Sequence, residues 1–167
     1  MSTCSRPPAF TCTEFRAALG MFATGVTIVT ARKADGTLVG LTANSFNSVS
    51  LSPALVLWSL ARAAGSFDTF RNGSHYAINI LGADQQGMAR RFSEKVDNRF
   101  EGVTWESGIG GAPLIQGAIA HFECFNRSQY QEGDHTIFVG EVERCGHTTG
   151  ASPLLFHGGK FYTEHPL

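Results

Sequence analysis

Between Thr42 and Ser50, six side chains (Thr42, Asn44, Ser45, Asn47, Ser48 and Ser50) put hydroxyls and amides into nine residues with no charge and little bulk. A segment of that kind lets its backbone approach a flat polar ligand and offers N–H donors to a phosphate. Core packing does not call for such density, because each polar group buried without a partner costs free energy. The run therefore reads as a wall of a cofactor site. A second group stands downstream at Gly133-Asp134-His135. There glycine permits a sharp turn, aspartate can bond its own backbone or orient a neighbour, and histidine stands at the mouth of the strand that follows.

Other chemistries are poorly represented. Gly108-Ile109-Gly110-Gly111 is a fragment of a dinucleotide fingerprint, but Pro113 follows and no βαβ unit surrounds it. Gly159-Lys160 lacks the upstream glycine of a phosphate-binding loop. There is no Gly-x-Ser-x-Gly elbow and no His-Glu-x-x-His helix. The six histidines are scattered, and Cys145 with His147 is the one spacing close enough for shared metal binding. That pair reads as a strand end running into a loop, so no metal is expected.

The elements that must hold the polar run follow from periodicity. Thr11 and Glu14 have capping-box spacing, and Phe15, Ala18, Leu19 and Phe22 share a helical face, predicting a helix that ends near Gly25. Strands are expected over 26–31 and 37–41 around an Asp35-Gly36 turn, then over 49–51 and 54–60 on either side of Ser52-Pro53. Ser66 can cap a short helix stopped by Asn72-Gly73, and Asp84 a second one reaching Phe92. Further strands are predicted over 76–81, 115–129 and 135–144, with a short pair within 154–162. Strands outnumber helices without βαβ alternation, which predicts a mostly β chain: a closed antiparallel barrel with a few peripheral helices.

At 167 residues one domain is expected, here 10–167 behind a flexible tail at 1–9. With 43% hydrophobic and only 16% charged residues, much of the surface should be covered, and oligomerisation is one way to cover it. A net charge of −1 argues against a nucleic-acid partner. No apolar stretch is long enough for a membrane span, and the first residues lack the apolar centre of a signal peptide, so a cytoplasmic location is expected. The four cysteines form no Cys-x-x-Cys pair and read as free thiols.

Together with Thr24-Gly25-Val26-Thr27, Ser50-Leu51-Ser52-Pro53-Ala54-Leu55-Val56 and Asn79-Ile80-Leu81, these segments resemble the short-chain flavin reductases, the reductase components of two-component flavin-dependent monooxygenases. The resemblance runs from about Phe15 to Tyr162. It implies a homodimer of a Greek-key, FMN-binding split β-barrel that takes FMN or FAD near the dimer interface. It also implies NADH or NADPH as hydride donor, and a monooxygenase reached by diffusing reduced flavin. Carried over, Thr42, Ala43, Asn44, Ser45 and Phe46 line the isoalloxazine and ribityl chain, and Ser48 and Ser50 lie on the phosphate side. Leu60 and Ser66 close over the flavin, Arg91 and Phe100 contact its tail, and Thr27 and Tyr162 are wall residues. His135 is implied at the nicotinamide, for binding rather than proton transfer, since hydride transfer depends on positioning. Arg32, Lys33, Arg90 and Arg127 are candidates for a 2′-phosphate.

One stretch departs from the family's pattern. Trp58 and Ser59 stand where smaller or apolar side chains are expected, and Trp58, as a large aromatic, has its expected place at the subunit contact. Two other functions share such a barrel: an FMN oxidase of the pyridoxine-phosphate kind, and a non-catalytic flavin- or haem-binding barrel.

Overall fold

The structure is a computed structural model that describes residues 8–165; residues 1–7, most of the expected tail with Cys4, lie outside them. It opens on helix α1 (Cys12–Gly20), capped as its spacing predicts. The Thr11 hydroxyl accepts from the Glu14 N–H at 3.2 Å, and the Glu14 carboxylate accepts from the Thr11 N–H at 2.7 Å. The helix stops short of the expected Gly25 because Thr24 and Gly25 form strand β1 (Thr24–Gly25) and pair with Phe156 and Leu155.

The body is one antiparallel sheet. In chain order come β2 (Thr27–Arg32), β3 (Leu38–Ala43), β4 (Asn47–Leu51), β5 (Ala54–Ala61), helix α2 (Phe67–Asn72) and β6 (His75–Ile80). After a 3₁₀ turn (Ala83–Gln85) follow helix α3 (Gln86–Ser93), the short pair β7 (Trp105–Ser107) and β8 (Pro113–Ile115), and the long strands β9 (Ala120–Glu132) and β10 (His135–His147). The closing hairpin β11 (Leu155–His157) and β12 (Lys160–Tyr162) joins β1 in a small three-stranded sheet. The main sheet runs β3-β2-β6-β9-β10-β5-β4.

No ladder joins β3 to β4 among the described residues, so the sheet is open where the sequence predicts closure. The residues between them, 44–46, carry the chain from one outer strand to the other. Such a link reaches only about 14 Å, so those two strand ends lie within that distance. Ser45 fastens the link, donating to Ser59 O at 3.2 Å and accepting from Ser59 N–H at 3.0 Å.

Two apolar clusters hold the sheet. Val29, Ala31, Val56, Trp58, Leu60, Phe70, Tyr76 and Phe138 fill the larger one, while Val26, Ile28, Leu81, Phe92 and Ile115 fill the other. β2 is covered on both faces, so Thr27 to Ala31 are all buried and the threonine hydroxyls must find partners inside the fold. On β5, Val56, Trp58 and Leu60 alternate inward. Trp58 is thus no subunit contact: fully buried in its own chain, its ring stacks on Phe138 at 4.9 Å and meets Phe70 edge-on at 5.0 Å.

Two local readings are corrected. Asp84 lies inside the 3₁₀ turn instead of capping α3, and the Gln85 carboxamide accepts from the Gly82 N–H at 3.1 Å in its place. The strand expected over 115–129 divides into β8 and β9, because the Asn79 amide oxygen takes the Ile115 N–H at 2.8 Å and Gly117 turns with a φ of 82°. No helix of the described residues is long and apolar enough to cross a membrane.

Candidate active site

β3 is an outer strand paired only with β2, so half of its N–H and C=O groups face away from the sheet. Along that edge runs a cleft of about 1320 Å³. Its walls are Lys33 and residues 37–42, the loop 63–66 between β5 and α2, the end of α3 with residues 95–100, and Trp105. Gly40 is central to it. A Cβ there would lie 2.7 Å from the Phe92 ring, so glycine lets α3 close against the strand, with Phe100 edge-on to Phe92 at 5.0 Å.

The walls carry Lys33, Lys95 and Arg99 against one acid, Asp97. None of the three cations joins an ion pair among the described residues. Arg99 instead donates to neutral carbonyls, Gly40 O at 2.9 Å and Glu94 O at 2.7 Å. A cleft with uncompensated cations, free strand-edge amides and aromatic rings has the chemistry to take a flat, phosphate-bearing ligand.

Of the residues implied by resemblance, Thr42, Ser66 and Phe100 come together in this cleft. The Thr42 hydroxyl is spent on Ala89 O at 2.6 Å, tying β3 to α3, whereas the Ser66 side chain makes no capping bond. Ala43 is buried, Asn44 exposed, and Ser45 and Phe46 half-buried along the link that continues from the cleft, with the Phe46 ring 5.4 Å from Phe122. Thr27 is buried and donates to Ala43 O at 2.8 Å, supporting the wall from behind.

The remaining residues stand apart from the cleft. Ser48 is exposed on β4, and the Ser50 hydroxyl accepts from the Ser52 N–H at 3.2 Å. Leu60 points into the main core. Arg91 donates to Asn98 O at 3.2 Å and lies 3.8 Å from the Glu101 carboxylate. Tyr162 sits on β12 with its ring 6.1 Å from His157. Of the four cations considered for a 2′-phosphate, Lys33 alone lines the cleft. Arg32 lies 6.0 Å over Trp105, Arg90 5.6 Å over Phe161, and Arg127 pairs with Glu141 at 2.7 Å.

His135 begins β10 opposite Ala61, exposed, with Nδ1 2.7 Å from the Asp134 carboxylate. That hydrogen bond, and then the charge of the ring, hold the Asp134 carboxyl below the usual carboxylate range. The turn is fastened to the cleft loop: the Arg62 N–H donates to Asp134 O at 3.0 Å and its guanidinium to Gly133 O at 2.6 Å. Gly133, at a φ of 58°, makes the turn possible.

Sequence reasoning missed Lys95, Asn98, Arg99 and Trp105. Between a helix end and Phe100, residues 95–99 look like a solvated loop. The proximity of Lys95 and Arg99 to Phe100, an expected contact of the flavin tail, was the one signal that could have marked them.

Residues 19–165 match the sequence profile of the flavin reductase like domain. The chain belongs to that family. Among the relatives of this flavin reductase like domain, the FMN reductase (NADH) SmoA of Agrobacterium fabrum is 47% identical over 148 residues, covering 89% of this chain and 83% of the relative. The reductase component of the flavin-dependent trigonelline monooxygenase of Acinetobacter baylyi is 42% identical over 90% of the chain, which spans about half (48%) of that protein. Among solved structures, the NADH:FAD oxidoreductase SgcE6 of Streptomyces globisporus, in complex with NAD and FAD fragments, superposes with a TM-score of 0.88 at 41% identity, covering 92% of this chain and 93% of the other.

Proposed function

We propose that the chain is an NAD(P)H:flavin oxidoreductase that hands reduced FMN or FAD to a partner monooxygenase. The observation that carries this reading is the cation-lined cleft along the free edge of β3, bordered by the loop that Arg62 ties to the Asp134–His135 turn. Support for flavin as the ligand comes from the donor set. Strand-edge amides and the free Ser66 hydroxyl suit the polar edge of a flat ring, and Lys33, Lys95 and Arg99 suit a phosphate.

When both are bound, the nicotinamide supplies the hydride and the flavin accepts it. The chain's own part is to bind and align. β3 and the loop 63–66 fix the plane of the cleft, while Phe92 and Phe100 exclude water from one side. Asp134 orients the His135 ring through Nδ1 and leaves Nε2 for the dinucleotide. No side chain is assigned an acid or base role, since hydride transfer is driven by positioning.

The finer fold reading is the split barrel, one domain over 10–167. It draws support from the short link 44–46, which brings the sheet's two outer strands together around the core. A homodimer is proposed from the exposed apolar residues Phe15, Leu19, Met21 and Phe22 at α1 and Leu51 on β4, the last 96% exposed. The cytoplasm, with its reduced nicotinamides and thiols, is the proposed compartment.

Flavin fluorescence tests the binding half. Lys33→Ala and Lys95→Ala should each weaken FMN about two- to fivefold at low salt, the scale of one exposed charge pair, and leave riboflavin unchanged. Equal loss for both flavins would remove the phosphate from this part of the cleft.

A further inference from the structure

Residues 95–98 form part of the cleft wall, yet every residue from Ser93 to Asn98 is exposed, so no buried side chain anchors that segment. No backbone hydrogen bond joins residues 95–99 to β3 among the described residues. Two arginines and one amide hold the segment instead. Arg99 donates from Nε (3.1 Å) and one terminal nitrogen (2.7 Å) to Glu94 O, and from the other (2.9 Å) to Gly40 O on β3. Arg91 donates to Asn98 O at 3.2 Å, and the Asn98 amide oxygen accepts from the Phe100 N–H at 3.1 Å. The Arg91 and Asn98 bonds lie within the segment and its helix. Among the described residues, the Arg99 fork alone makes a hydrogen-bonded bridge between the segment and the β3 wall of the cleft.

Taking the cleft as the flavin site, we infer that Arg99 is a positioning residue that pins the 94–98 segment against Gly40 and thereby sets how long a flavin stays. A planar guanidinium can bond the carbonyls of two separate backbone segments at once, and an ammonium lacks that fork. Arg99 also has no carboxylate partner among the described residues, so its charge serves the two carbonyls and any phosphate in the cleft. With the fork removed, the strand and the segment separate, and one side of the cleft opens without loss of the core beneath it.

The test is flavin release. Wild type, Arg99→Ala and Arg99→Lys are loaded with FMN or riboflavin and diluted in a stopped-flow fluorimeter, and amide exchange is mapped in parallel. Arg99→Ala should release both flavins roughly tenfold faster, the scale of one charged hydrogen-bonded support. Arg99→Lys should fall between it and wild type, and stands in for it should the alanine protein not fold. Faster exchange should be confined to residues 94–98. Unchanged release rates would overturn the inference. So would an acceleration seen with FMN alone and abolished in Arg99→Lys, which marks a plain phosphate contact. Wild type that binds neither flavin at saturating concentration would instead overturn the functional reading beneath it.

Discussion

His135 is the residue on which the nicotinamide reading turns. Its ring is held by Asp134 at 2.7 Å, and its turn is held by Arg62. His135→Ala should therefore raise the nicotinamide KM, by about tenfold for one lost binding contact, with little change in flavin affinity; steady-state kinetics at varied NADH reads this directly. Cys124 makes a different prediction. Burial, and then the charges of Glu143 and Glu123, push its thiol up from 9.0 to about 12. Iodoacetamide at pH 8 should label the exposed Cys12 and Cys145 and leave Cys124 untouched in the folded protein, as peptide mapping would show. The same shift has a sign for stability. Above pH 9 the unfolded chain loses a proton that the folded one keeps, so stability falls as pH rises, by up to about 1.4 kcal/mol per pH unit. Cys124→Ala should flatten that slope between pH 9 and 10, before the Tyr76 phenol, also pushed up by burial, contributes in the unfolded state.

At the scale of elements, Glu123 ties three segments together. It is 4% exposed on β9, bonds Arg144 of β10 at 2.7 Å, and accepts from the Ile109 N–H at 2.7 Å. Glu123→Ala strands the Ile109 donor and frees Arg144, and should cost about 2–3 kcal/mol; urea unfolding would show it as a lower midpoint at unchanged slope. Which elements were legible in the sequence follows from how local their causes are. The capping box of α1 and the Asp35-Gly36 turn involve neighbours, and both are found as read. The break between β8 and β9 depends on Asn79, far away in sequence, and no local pattern announces it. In the cleft, the polar density that begins at Thr42 was visible, but the partnership of Arg99 with Gly40 was not, because fifty-nine residues separate them. Leu60 lies in the core and not in the cleft wall. Strand parity puts it on the same face as Trp58, and Trp58 is core.

The whole molecule leaves a set of large apolar side chains uncovered, among them Phe15, Leu19, Met21, Phe22 and Leu51. Their exposure on a single chain fits burial in a dimer. Light scattering after gel filtration should give twice the 18.0 kDa chain mass, and Phe22→Asp should shift it toward the single-chain value. A wild-type protein that elutes at one chain mass would assign that apolar surface to something other than a second copy. Hydride transfer between two bound ligands is read by anaerobic mixing of the protein with NADH and FMN or FAD. Flavin absorbance should bleach in step with NADH loss, one for one, far faster than without protein. Flavin that binds and stays oxidised in the presence of NADH and NADPH alike would contradict it.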